Sequence, residues 1–356
     1  MIDYIGIRDV QALIEEIGPG TFIERLAGEI EADYARWDEF EKSVRLASHS
    51  KLGVIELMPI SDGRLYSFKY VNGHPRNTHE GLLTVMAFGV LADVDTGCPI
   101  LLSELTITTA LRTAAMSALA ARWLARSDSR SMALIGNGAQ SEFQAIAFHR
   151  MLGIRELRLF DVDPLATAKL EQNLRAMPDL SDLTLMRASC VADAVRGADI
   201  VTTVTADKRN ATILTPPMMA PGVHVNAVGG DCPGKTELHR DILARPDVRV
   251  VVEYEPQSRV EGEVQQMPLE FAVTEFAEVV RRGAPGRDSA TEITIFDSVG
   301  FALEDHSALR LLHDLVRAQP ERCRRIDLVP MLEDPKDLYG GTLGGGKVKT
   351  RPRRAA

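Results

Sequence analysis

The chain has 356 residues, 45% of them apolar, enough for about two domains with substantial cores, which excludes a disordered chain or a stapled mini-protein. Forty-one Lys and Arg against fifty Asp and Glu leave a net charge of −9, which argues against a general binder of phosphate backbones and for a small partner. Four scattered cysteines with no Cys-x-x-Cys pair, no leader pattern and no apolar run near the ~20 residues that span a bilayer predict a soluble cytoplasmic protein with ordinary thiols.

From residue 8 to 40, apolar positions at helical spacing (Val10, Leu13, Ile14, Ile17, then Phe22, Ile23, Leu26, Ile30) predict two amphipathic helices broken at Gly18-Pro19-Gly20. Strands are expected at Val54–Met58, Arg64–Val71 and Thr84–Leu91, with a hairpin turn at Asp95-Thr96-Gly97 before Pro99–Leu102. Helices followed by an antiparallel-type sheet thus fill the first ~105 residues. The Ala-rich run from Thr106 to Arg126, free of Gly and Pro, is a long helix. Beyond it, short β-branched runs begin at Ser131, Leu157, Ile200, Val223, Val248 and Ile293, spaced by helix-length stretches, and that alternation predicts a parallel sheet with helices on both faces. A last helix covers Phe301 to Ala318, and the next forty residues, which fit no repeat of this unit, are expected to return to the first domain. The Gly-rich, basic end from Gly344 reads as a disordered tail.

The first parallel strand runs into Gly136-Asn-Gly-Ala-Gln-Ser141 and then a helix. Glycines at 136 and 138 allow a tight turn whose backbone can approach a pyrophosphate at a helix N-terminus, although Ser141 stands where a third glycine is usual. The next strand ends at Asp161, 23 residues beyond Gly138, where a carboxylate would accept hydrogen bonds from ribose hydroxyls and repel a 2′-phosphate, so NAD is favoured over NADP. The plainer reading makes Asp161 a helix cap. Asn226–Leu238 begins as a buried strand and stops at Gly229-Gly230-Asp231, at the sheet end that faces a ligand crevice. Asp231 is therefore the first choice for proton transfer, against a simple turn with a side-chain cap. Arg112, in a small and apolar helical stretch, needs an anion, and its planar fork suits a carboxylate. A structural ion pair or an exposed face are the alternatives. Arg45, Glu56 and Lys69 lie near or on strands of the first domain, where taken singly each reads as solvated. The eight His form no metal-spaced pair, and no Gly-x-Ser-x-Gly occurs, so neither a metal site nor a serine nucleophile is expected.

With these segments in view, the chain resembles the ornithine cyclodeaminase/mu-crystallin family from about residue 40 to 310. The resemblance rests on Gly53-Val-Ile-Glu-Leu-Met-Pro59, Phe68-Lys-Tyr-Val-Asn-Gly-His-Pro75, Thr84–Gly97, Leu102–Leu105, Thr109-Ala-Leu-Arg112, Ile135–Gln140, Val228-Gly-Gly-Asp-Cys-Pro-Gly-Lys-Thr-Glu-Leu238, Glu253–Gln257 and Glu261-Gly-Glu263. Mu-crystallin-like members lack the aspartate found here at 231, so the lyase branch is favoured over a reductase or a binding protein. The resemblance implies an α/β fold, a Rossmann-type NAD domain with a parallel sheet plus an α+β substrate-binding and dimerisation domain. Residues 1–115 completed by 320–343 would form the substrate and dimerisation unit, 116–319 the NAD unit, and 344–356 the tail. Arg45, Lys69 and Arg112 would hold an amino-acid carboxylate, Glu56 and Asp231 would handle amino groups, and Val299 would line the pocket. Thr84, Arg112, Thr113, Gly136, Asn137, Gly138, Ala139, Gln140, Asp161, Thr202 or Thr205, Val228, Gly229, Gly230, Lys235 and Ser298 would contact the dinucleotide. The implied reaction turns L-ornithine into L-proline and ammonia, in a homodimer joined through the N-terminal sheets. An NAD-dependent amino-acid dehydrogenase, a cyclic-imine reductase, lysine cyclisation and a mu-crystallin-like binding protein are the alternatives.

Overall fold

The computed structural model describes residues 1–206, 211–283, 286–319 and 324–343. Cys323 and the basic tail at 344–356 lie outside the described residues, as does part of the 320–343 segment. Two eight-stranded sheets carry the fold.

The two N-terminal helices, Ile7–Ile17 and Pro19–Ala35, meet at Gly18, whose φ of +83° breaks the first, while Pro19 opens the second. The second helix buries Phe22, Ile23, Leu26, Ile30 and Tyr34. It packs against the helices Thr106–Leu124 and Ala302–Ala318.

The first sheet runs Arg324–Ile326, Ile2–Ile5, Pro99–Glu104, Ala87–Asp93, Leu65–Gly73, Val54–Ser61, Glu41–Lys42, with Leu46–His49 also paired to Val54–Ser61. Every pair is antiparallel except Ile2–Ile5 against Pro99–Glu104. Thr84, expected in a strand, precedes the strand that begins at Ala87. Both faces of this sheet carry apolar side chains, and its inner face carries charged ones as well. Val54, Glu56 and Met58 point inward along one strand, and Ser67, Lys69 and Val71 along the next, while Ile55, Leu57, Tyr66 and Phe88 are exposed. Glu56 and Lys69 are thus buried, so the solvated reading of these positions fails.

The second sheet is wholly parallel, in the order Thr184–Arg187, Glu156–Phe160, Ser131–Ile135, Ile200–Thr203, His224–Ala227, Ile293–Asp297, Val248–Val252, Thr274–Glu275. From Ser131–Ile135 the chain builds outward through Glu156–Phe160 to Thr184–Arg187, then crosses back to Ile200–Thr203 on the other side. The reversal between these two central strands opens the crevice where ligands of such sheets bind. Among the described residues, the stretch between Ile200–Thr203 and His224–Ala227 holds only a short 3-10 turn at Pro216–Met218 instead of the expected α-helix. The helix Ala302–Ala318 lies against the first sheet, where His306 Nδ1 is 3.0 Å from Ser67 Oγ. No helix among the described residues is long and apolar enough to cross a membrane.

Candidate active site

The glycine turn sits at the crevice. Gly136 has a φ of +95°, and a Cβ there would stand 2.9 Å from the Val204 carbonyl carbon and oxygen, so only glycine fits between these strands. Around Gly138 the opposite holds: a Cβ would meet nothing within 4 Å, and Gly138 and Ala139 are exposed. The Asp161 carboxylate accepts from Asn137 N at 2.6 Å and Asp163 N at 2.8 Å, which locks the turn to the end of the neighbouring strand. Asn137 turns its side chain inward, donating to Leu134 O and accepting from Thr167 Oγ1 at 2.8 Å, so its side chain serves the turn itself. Gln140 donates to Ala110 O at 2.9 Å and ties the turn to the helix Thr106–Leu124. The open backbone at 138–139 and the fixed carboxylate at 161 fit a diphosphate and a ribose.

Thr202 is fully buried within its strand, its hydroxyl 3.3 Å from Met132 Sδ, whereas Thr205 lies past the strand's carboxyl end and bonds Glu237 through both N and Oγ1. Of the two alternatives, Thr205 is the one at the crevice. Thr84 and Thr113 are half-buried, as is Val228. Ser298 is buried and donates to Glu253 at 2.7 Å.

Three cations with buried side chains gather beneath the first sheet: Lys69 from the strand Leu65–Gly73, Arg45 from the segment just before Leu46–His49, and Arg112 from the helix Thr106–Leu124. Arg45 Nη1 lies 3.1 Å from Glu56, its Nε 3.0 Å from Glu261, and its Nη2 donates to the Val299 and Gly300 carbonyls at 2.6 Å each. Lys69 Nζ is 2.7 Å from Asp305. Arg112 reaches Glu304 at 2.6 Å and the same Asp305 at 3.2 Å. Asp305 therefore spans two of the three cations. Burial and the nearby Arg112 push the Lys69 ammonium down to about 8, with Asp305 pulling the other way. Burial also works against charge on Arg45 and Arg112, yet the facing carboxylates outweigh it and hold both above the ordinary arginine value. Glu304 and Glu253 are raised, first by burial, which favours the protonated form in that pair. A Cβ at Gly300 would stand 2.8 Å from Arg112 Nη1, so this glycine lets the guanidinium in.

The loop with Asp231 is held from behind by buried acids. Glu237 accepts from Gly229 N at 3.1 Å, Glu263 accepts from Glu237 N at 2.7 Å and Leu238 N at 3.0 Å, and Asp297 accepts from Glu263 N at 2.8 Å and Val264 N at 3.0 Å. Glycines make room for these carboxylates: a Cβ on Gly229 would stand 2.1 Å from Glu237, and one on Gly230 2.9 Å from Glu263. Burial pushes Asp297 up to about 7. Asp231 itself is half-exposed, 3.5 Å from Lys235 Nζ, which also donates to Thr205 O at 2.8 Å.

Glu261, Glu304 and Asp305 escaped the sequence reading as site residues. An acid in the first turn of a helix reads as a dipole partner, and only the packing of that helix beneath the first sheet turns Glu304 and Asp305 toward Arg112 and Lys69. The Glu261-Gly-Glu263 spacing was visible, but not which acid faces the crevice.

The sequence model of the ornithine cyclodeaminase/mu-crystallin family matches residues 8–319. The chain belongs to the ornithine cyclodeaminase/mu-crystallin family. It is 55% identical over 348 residues to the ornithine cyclodeaminase of Brucella suis biovar 1 (strain 1330), covering 98% of this chain and 95% of that protein. A solved lysine cyclodeaminase, described for its recognition of L-lysine, L-ornithine and L-2,4-diaminobutyric acid, superposes with a TM-score of 0.87 at 27% identity, over 96% of this chain and 99% of its own. An archaeal alanine dehydrogenase dimer with bound NAD superposes with a TM-score of 0.82 at 26% identity, over 92% of this chain and 99% of its own. Lys235, 3.5 Å from Asp231, donates to Thr205 O, and Thr205 follows the Val204 that packs on Gly136, so the Asp231 loop is tied to the glycine turn.

Proposed function

We propose that the chain converts L-ornithine into L-proline and ammonia, with NAD as a cofactor that is reduced and reoxidised within each turnover. What supports this reading is a chain 55% identical to a named ornithine cyclodeaminase in which the buried side chains of Arg45, Lys69 and Arg112 gather with the acids Glu56 and Asp305, and in which the turn at Gly138 is open.

Lys69 and Arg112, spaced by Asp305, take the α-carboxylate, and Arg45 completes the cationic wall. Glu56 and Asp231 receive the amino groups. The α-ammonium must lose a proton before its carbon can give up a hydride, and Asp231, the half-exposed acid on a backbone-locked loop, accepts it directly or through a water. NAD, when bound, supplies the chemistry of removing that hydride and giving it back. Between those events the δ-amine closes on the imino carbon and ammonia leaves, so the protein's work is to position the substrate against Val299 and keep bulk water out. The dinucleotide is assigned to Thr84, Arg112, Thr113, Gly136 to Gln140, Asp161, Thr205, Val228 to Gly230, Lys235 and Ser298. Asp161 selects against a 2′-phosphate. The exposed apolar face at Ile55, Leu57, Tyr66 and Phe88 supports a homodimer through the first sheets, and a cytoplasmic setting suits the exposed thiols Cys98 and Cys190.

The test is product analysis. L-Ornithine given to the purified protein with NAD and no electron acceptor is expected to yield equal amounts of proline and ammonia with no build-up of NADH. Steady NADH production, with ornithine or with alanine, would make the protein a dehydrogenase instead.

A further inference from the structure

Glu261 is the last residue of the helix Glu255–Glu261 and is 5% exposed. Its Oε2 faces Arg45 Nε at 3.0 Å, yet neither atom makes a hydrogen bond there. Arg45 does not need it: Glu56 neutralises the guanidinium, and the Val299 and Gly300 carbonyls take the other nitrogen. Two buried carboxylates, Glu56 and Glu261, thus share one arginine, while Asp231 has Lys235. One negative charge is left over, and a buried surplus charge calls for a cation or a proton. Burial raises the Glu261 carboxyl to about 7, with Glu56 and Asp231 adding to the rise against Arg45, as expected of a site waiting for a positive charge.

The position of Glu261 relative to Asp231 is fixed. Gln265 Nε2 donates to Glu261 O at 3.0 Å and to Lys235 O at 3.0 Å, and its Oε1 accepts from Gly234 N at 2.7 Å, which clips the helix end to the Asp231 loop. Next to it, a Cβ on Gly262 would stand 2.5 Å from Asp297, so the chain cannot shift backward there.

We infer that Glu261 adds a third carboxylate to Glu56 and Asp231 at the distal ammonium of a diamino acid, and that this contact makes the site take a diamino in preference to a monoamino substrate. The inference rests on the functional reading above. A substrate with one ammonium leaves the Glu56–Glu261 surplus uncompensated, whereas a second ammonium four bonds along the chain from the carbon that bears the first supplies the missing charge.

The experiment compares Glu261→Gln with the parent in two reactions: ornithine conversion, and NADH-dependent reduction of the five-membered cyclic imine 1-pyrroline-2-carboxylate to proline. The imine carries the carboxylate but has no distal ammonium, and its reduction consumes one hydride from NADH and one proton. The expected result is a loss of at least thirtyfold in kcat/KM for ornithine, mostly in KM, with imine reduction within about threefold of the parent and partial recovery for ornithine in Glu261→Asp. Equal losses in both reactions would show that Glu261 only supports Arg45 or the loop, and an unchanged KM for ornithine would remove it from substrate binding. Either result overturns the inference and leaves the functional reading standing. A parent protein that performs neither reaction overturns both.

Discussion

Gly138 and Gly229 are both glycines of turns at the crevice, and their surroundings separate two reasons for lacking a side chain. At Gly229 the space is already filled by the Glu237 carboxylate, 2.1 Å from where a Cβ would be. Gly229→Ala is therefore expected to destabilise the fold by about 1–3 kcal/mol, the range for forcing an extra methyl into packed structure, and to weaken activity through the Asp231 loop. At Gly138 nothing lies within 4 Å and the backbone is in no left-handed conformation. Gly138→Ala should leave the stability of the free protein within about 0.5 kcal/mol while weakening NAD at least tenfold, about 1.4 kcal/mol. Thermal melting with and without NAD reads both effects, and a Gly138→Ala protein that binds NAD normally would place the diphosphate elsewhere. Such glycines were legible in the sequence as a turn before a helix. Which one faces packing and which lies open was not, because that depends on Glu237, brought against Gly229 only by the fold.

The strands Val54–Ser61 and Leu65–Gly73 show how an element serves two surfaces at once. Their period of two was readable, and so were their apolar residues, but the ordinary rule that apolar means inward fails here. Glu56 and Lys69 point inward, where Arg45 and Asp305 neutralise them, while Leu57 and, on the neighbouring strand Ala87–Asp93, Phe88 point outward, 40% and 43% exposed, with Phe88 stacked on Tyr70. An apolar sheet face of this kind is covered in a second copy of the chain under the dimer reading. Leu57→Asp combined with Phe88→Asp should convert a dimer into a monomer in sedimentation, and a parent that already sediments as a monomer would contradict it. Other elements lay beyond sequence reasoning for reasons of length and distance. Ile2–Ile5 and Arg324–Ile326 are four and three residues long and pair across nearly the whole chain, and Leu46–His49 is exposed at every position, so none has a pattern to detect.

At the scale of the molecule, the alternation of strands and helices made the parallel sheet legible, but not the order of its strands. The placement of the last helix was not legible. Ala302–Ala318 follows the final parallel strand, yet it packs beneath the other sheet and delivers Asp305 to Lys69 and Glu304 to Arg112. Lys69 and Arg112 are thus paired with acids from a helix that arrives by way of the parallel sheet, which ties the two sheets together. The central claim is that one hydride leaves and re-enters the same carbon without leaving the site. L-Ornithine carrying deuterium at Cα, turned over in ordinary water without an added acceptor, tests it most directly. The account predicts L-proline with the deuterium still on Cα; proline with protium there, or deuterium collecting in free reduced cofactor, would contradict it.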